Sequence, residues 1–104
     1  MMKLMTQTLE KRFQAVGQQL ASDDPIIVCK FFTPWSNQTR YVSEWYPDAR
    51  VCFGFIIGQE AERWYFALPE LEAITSPYEL GIERDIHFGE CLFSQIEEYK
   101  SLAL

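Results

Sequence analysis

The sequence predicts an α+β fold: an antiparallel β-meander of four to five strands, an N-terminal amphipathic helix and short C-terminal helices. Three observations carry this expectation. Ile26-Ile27-Val28-Cys29-Lys30-Phe31-Phe32-Thr33 is a β-branched and aromatic run closed by Pro34. Three more runs of strand-like composition follow it, divided by short turn-forming segments. Before it, Leu9, Phe13, Val16 and Leu20 recur at helical spacing, with Lys11, Arg12, Gln18 and Gln19 between them.

Taken in order, the helix is expected over Thr6 to Leu20, with Thr6 or Thr8 capping its start. Pro25 cannot continue a helix and pushes Asp24 toward an extended conformation. Ile26–Thr33 is apolar on both alternating faces, apart from Lys30, which predicts a strand covered on both sides. Thr39–Tyr46 alternates more openly, and Pro47-Asp48-Ala49-Arg50 has hairpin-turn chemistry. Val51–Ile57 is the third strand. Gly54 within it predicts a bulge or the close approach of something bulky such as Trp45. Gly58–Glu62 reads as a turn, Arg63–Leu68 as the fourth strand, and Pro69–Ile74 as a short helix with proline at its first turn. Tyr78 to Phe88 is mixed, with a short helical turn and an edge strand at Asp85–Phe88. Phe93, Ile96 and Leu102, with Tyr99 beside them, predict a C-terminal helix capped at Ser94.

The chain of 104 residues is 48% hydrophobic, which suits one domain, residues 1–104, around one core. No apolar run approaches the roughly 18 residues that span a bilayer. The N-terminus lacks the pattern of a signal peptide, so a cytoplasmic location is expected. Cys29, Cys52 and Cys91 are odd in number and far apart, as reduced thiols buried as small hydrophobes would be. The net charge of −6 is lopsided. Residues 1–58 hold six Lys or Arg against five Asp or Glu, a net +1. Residues 59–104 hold three against ten, a net −7. Such a half repels phosphate backbones and suits a basic partner, although solubility alone also accounts for it.

Chemistry-bearing patterns are sparse. His87 is the only histidine, and no set of ligands at workable spacing accompanies it, so no metal is expected. The five glycines are scattered and build no phosphate loop, so no cofactor is expected either. A Cys–His pair of His87 with Cys91 or Cys29 has nothing in the sequence to favour it. The densest mixed-charge group is Glu83-Arg84-Asp85, with Lys30, Arg40 and Glu44 elsewhere. As a site, one carboxylate would act as base and Arg84 would hold an anion. As structure, Arg84 would tie the C-terminal segment to the sheet by pairing with a carboxylate. The structural reading is the stronger. Lys30 inside so apolar a strand requires a carboxylate, with Glu44 and Asp85 as candidates. Trp35, Tyr41, Trp45, Tyr46, Trp64 and Tyr65 are too many to bury together, and those left out are the usual anchors of a protein interface. Stacking on single-stranded bases is the other use of such a face, which the charge balance does not help.

The blocks Lys30-Phe31-Phe32-Thr33-Pro34 and Glu79-Leu80-Gly81-Ile82-Glu83-Arg84-Asp85-Ile86-His87-Phe88 resemble the small bacterial, plasmid and phage proteins grouped as domain of unknown function 2958. Between them, Trp45 or Glu44 matches that family's aromatic-to-Glu strand. Cys52-Phe53-Gly54 matches its Phe-Phe-Gly strand, and Tyr65-Phe66-Ala67-Leu68-Pro69-Glu70-Leu71 its Tyr/Phe-to-Glu-Leu step. The similarity covers about residues 24–90. Pro69 and a shorter Leu-Gly-Ile-Glu step before Glu83 depart from it. The resemblance implies no catalytic residues. It implies a mobile-element setting, often beside anti-restriction and conjugation genes.

The expectation that follows is a non-enzymatic protein-binding module, an anti-CRISPR or anti-restriction inhibitor acting in a bacterial host. Its contacts would be Trp35, Trp45 and Trp64 with Glu60, Glu62, Glu70 and Glu72. The partner would be a basic surface of a nucleic-acid-handling complex, with no direct nucleic-acid or membrane contact. The alternative is a small enzyme or ligand-binding domain centred on Glu83-Arg84-Asp85, with Lys30 and His87. An accessory domain of a larger machine is a third reading. The oligomeric state stays open, dimer included.

Overall fold

The structure is a computed structural model and describes residues 3–96. Helix α1 spans Gln7–Val16, followed by strands β1 (Ile26–Ile27), β2 (Cys29–Phe32), β3 (Thr39–Tyr46), β4 (Val51–Ile57) and β5 (Ala61–Ala67). Then come helix α2 (Leu68–Ala73), strands β6 (Glu83–Arg84) and β7 (Cys91–Leu92), and a 3-10 turn over Phe93–Gln95. Strands β5-β4-β3-β2-β6, in that spatial order, form one antiparallel sheet. Strands β1 and β7 form a separate two-stranded ribbon. The α+β class and the meander are as the sequence predicts.

Alternation along the strands sends side chains to two covered faces. On one face Cys29, Phe31, Val42, Cys52 and Phe66 meet Leu4, Met5, Phe13, Leu68, Leu71 and Ile82. On the other, Tyr41 and Ile57 meet Ile27, Phe93 and Ile96, with Phe55 stacked on Phe93 at 3.5 Å. Each fully buried aromatic or aliphatic side chain contributes about 1.5–3 kcal/mol.

Several expectations shift. The helix stops at Val16, because Gly17 adopts φ 76° and donates its N–H to the Phe13 carbonyl. Thr6, not Thr8, is the cap and accepts from the Leu9 N–H at 3.2 Å. The run Ile26–Thr33 is two strands. Val28 donates to the Val42 carbonyl, and before it the chain leaves β3 to pair with Cys91 and Leu92. The most deeply covered strand is β3, whose residues 39–44 are all buried, although its polar content reads as open. The irregularity expected at Gly54 lies across from it, between Val42 and Glu44. What approaches Gly54 is the Tyr41 carbonyl, not Trp45, which pairs with Cys52. Strand β5 begins at Ala61, two residues early, and Leu68 belongs to α2. The edge strand is Glu83–Arg84, not Asp85–Phe88. Where the C-terminal helix is expected to start, Phe93–Gln95 forms a 3-10 turn, while Tyr99 and Leu102 lie outside the described residues. Ser94 caps nothing there: its N–H and hydroxyl both donate to Asp24, at 2.8 and 2.7 Å.

Candidate functional site

The described structure has a depression at each end of β3. The first lies where the loop after β2 meets the β4–β5 hairpin. Thr33 donates to the Gln38 carbonyl and Ser36 to the Thr33 carbonyl, which folds Pro34–Gln38 into a tight turn. Gly58 donates to the Glu60 carbonyl, closing the facing hairpin. Between the two turns is a polar hollow of about 480 Å³, lined by Gln38, Ile56, Gly58, Glu60 and Glu62 among others. Trp35 stands at the tip of the first turn, 40% exposed.

Strand β5 runs from this hollow along the edge of the sheet, paired among the described residues on one side only, with β4. Its outward row of backbone groups is open to a further strand. Glu62 and Trp64 share one face of it. Trp64 is 63% exposed because its neighbour in register is Gly54, which offers no side chain to pack on. Tyr65 meets Trp64 edge-on at 5.5 Å.

The second depression, about 250 Å³, lies between α1 and the end of β3. Phe13, Trp45, Tyr46 and Pro47 form its apolar wall, and Glu10 and Glu44 its charged one. Glu44 is only 3% exposed. Its carboxylate accepts from the Gln19 backbone N–H and from the Tyr46 hydroxyl. Burial, then that hydrogen bond and the Glu44 charge, push the Tyr46 hydroxyl well above its ordinary pKa, so it stays a donor. No Lys or Arg among the described residues is within ion-pair distance of Glu44.

Two groups here escape sequence reasoning. Gln19, expected on the open side of a helix, instead plugs the gap where β1 has diverged from β3. Its side-chain amide donates to the Ile26 and Ser43 carbonyls at 2.8 and 2.9 Å and accepts from the Ile26 N–H at 2.7 Å. Arg63 donates to the Gln19 carbonyl at 3.0 Å and lies over Phe53 and Phe55. Arg40 is a third surprise, a cation only 8% exposed. It donates to Gln38 at 2.9 Å and stands 6.0 Å from the Phe66 ring, while its Nε and Nη1 have no acceptor among the described residues. Burial lowers its pKa.

The charged cluster does not converge. Lys30 meets Asp85 at 3.7 Å and lies 5.6 Å from the Tyr41 ring, so Asp85 rather than Glu44 is its carboxylate. Arg84 faces the opposite side of the sheet, where it donates to the Lys3 and Leu4 carbonyls at 2.7 and 3.1 Å. It thus ties the N-terminal segment to the sheet through carbonyls. Glu83 pairs with Phe32 through the backbone register. His87 is exposed, and only its backbone N–H reaches Asp85. Neither depression holds any of these residues.

The other predicted contacts are dispersed. Trp45 is half-buried against the main core, its Nε1 without an acceptor among the described residues. Glu70 and Glu72 are exposed on α2 at the far end of β5 from Glu60, and Glu72 pairs with Arg50 at 3.1 Å. Cys29 and Cys52 are buried free thiols. Burial pushes both up, Cys52 to about 12. Among the described residues no three His, Cys, Asp or Glu side chains are grouped as metal ligands. No helix there is long and apolar enough to cross a membrane.

No curated protein and no solved structure matches the chain. A family profile does match, over residues 4–103, which takes in α1 as well as the segment where the motif blocks lie. The chain therefore belongs to the DUF2958 family, described as proteins of unknown function.

Proposed function

We propose that the protein is a non-enzymatic binding module of a mobile genetic element. It inhibits a bacterial defence complex, of the CRISPR or restriction type, in the cytoplasm of the host. The observation that carries this reading is the edge strand β5, open among the described residues, with Trp64 63% exposed beside Glu60 and Glu62. A rigid aromatic on an unpaired edge supplies apolar area and a template for strand addition. The acids beside it select a basic surface and repel nucleic acid. Trp35 across the hollow extends the same contact. Glu70 and Glu72, at the other end of β5, belong to its rim.

The test is affinity capture of tagged protein from bacterial lysate, with and without nuclease, read by mass spectrometry. The expected result is a stoichiometric nuclease or surveillance complex that survives nuclease treatment. Trp64→Ala weakens its capture by about 30-fold or more, as loss of a hot-spot tryptophan does. The double variant Glu60→Lys, Glu62→Lys abolishes it. Capture unchanged by either variant refutes the reading.

A further inference from the structure

A buried carboxylate without a cation is costly, and proteins retain one where something charged completes it. Glu44 is such a group. Both of its hydrogen bonds come from neutral donors, and the cation of Arg63 is one peptide removed, on the Gln19 carbonyl. The walls around it select for positive charge in a second way. Trp45, Tyr46 and Phe13 present aromatic surface, Glu10 adds a second carboxylate, and no basic residue among the described ones lines the cavity. At about 250 Å³ the space is smaller than the roughly 300–1,000 Å³ of drug-sized pockets and suits a single long side chain.

We propose that this cavity between α1 and the end of β3 receives the guanidinium side chain of an arginine from a partner protein. Guanidinium fits better than ammonium because it is weakly hydrated, stacks on aromatic rings and can address both oxygens of one carboxylate. The raised pKa of the Tyr46 hydroxyl keeps it neutral beside Glu44, so it adds no phenolate to the two carboxylates that line the cavity. The cavity lies at the opposite end of β3 from the Glu60 and Glu62 hollow, so it is a second point of attachment. The inference relies on the preceding reading only for the source of the arginine.

The pocket is tested without any partner, by NMR titration of the full chain. The probe is the blocked amino acid Nα-acetyl-arginine N-methylamide, and its neutral isostere is the citrulline analogue. The expected result is a saturable shift of the Trp45 indole and Tyr46 signals with the arginine probe and none with citrulline. Glu44→Gln keeps an acceptor for the Gln19 N–H and removes the charge, and it weakens the probe by at least about tenfold. Gln14→Lys, an exposed change on α1 at the cavity wall, weakens it independently should Glu44→Gln disturb folding. Equal shifts with citrulline, or undiminished binding by both variants, overturn the proposal. Tighter binding of free agmatine than of the blocked probe overturns the assignment to a protein side chain. If the probe binds as expected but the edge-strand variants leave partner capture unchanged, the pocket stands and the edge-strand reading falls.

Discussion

Gly54→Ala is a direct test of the packing at the centre of the sheet. A methyl at this position would overlap the Tyr41 carbonyl oxygen and stand 3.0 Å from its carbon and 3.1 Å from Val42 Cα. All three atoms are backbone of the neighbouring strand, at the irregularity between Val42 and Glu44, so no rotamer change relieves them. Strand β3 must move, and Tyr41 carries its ring with it, away from Phe88 and Phe93 at 6.1 and 6.5 Å. Overpacking of this kind costs about 1–3 kcal/mol, with the upper end expected where backbone must shift. The entropy that alanine removes from the unfolded chain returns only about 0.4–1 kcal/mol. The net expectation is a loss of about 2 kcal/mol, or a midpoint about 8–16 °C lower for a chain of this size. Thermal and urea unfolding followed by circular dichroism measure it. Gly89→Ala is the control, since nothing lies within 4 Å of its added methyl, and it is expected to be neutral or slightly stabilising. If Gly54→Ala falls within 0.5 kcal/mol of that control, on the roughly ±0.5 kcal/mol scale of inert surface changes, the close approach to Tyr41 is refuted.

Three further outcomes are expected. Gln19→Ala leaves the Ile26 N–H and two carbonyls without partners and costs about 2–4 kcal/mol, with faster hydrogen exchange at the Ile26 amide; unchanged exchange there would remove the plug from the account. A maleimide pulse on the native protein labels Cys91, which is half-buried, and spares Cys29 and Cys52 until the chain unfolds; labelling of all three at one rate would show an open core. Stability falls with alkaline pH, because the unfolded chain releases the Cys52 proton near about pH 8.5 and the Tyr46 proton near about pH 10, while the folded chain holds both beyond those values. The loss approaches about 1.4 kcal/mol per pH unit for each such group, and urea midpoints that stay flat from about pH 8 to 11 would contradict it.

The meander was legible because each strand run is rich in β-branched and aromatic residues and each connection carries turn residues. What escaped the sequence were the places where polar groups are satisfied rather than exposed. Arg40, Ser43 and Glu44 read as an open strand, yet all three are buried in the best-covered one, where Gln38, the Phe53 carbonyl, and the Gln19 N–H with the Tyr46 hydroxyl give them partners that periodicity cannot see. A uniform run such as Ile26–Thr33 gives no mark at Val28, where the pairing partner changes from β3 to β7. At the sites the same limit applies. The exposure of Trp35 and Trp64 agrees with the surplus of aromatics, whereas Trp45 is held against the core by α1. The adjacency of Glu83, Arg84 and Asp85 suggested one cluster, but successive residues of an extended chain face opposite ways and reach different partners.

Arg84 reaches back to the Lys3 and Leu4 carbonyls, Arg12 holds Glu90 at 2.8 Å, and Asp24 receives both donors of Ser94. The first quarter of the chain is thus completed by its last. During synthesis on a ribosome, the 70 residues from Asp24 to Ser94 take roughly 4–14 s to appear at about 5–20 residues per second. Throughout that interval Ile27 lacks the ribbon that covers it, and Phe55, once made, lacks the Phe93 ring on which it stacks. The nascent meander therefore emerges with Ile27 and Phe55 bare on one face until residues 91–93 follow.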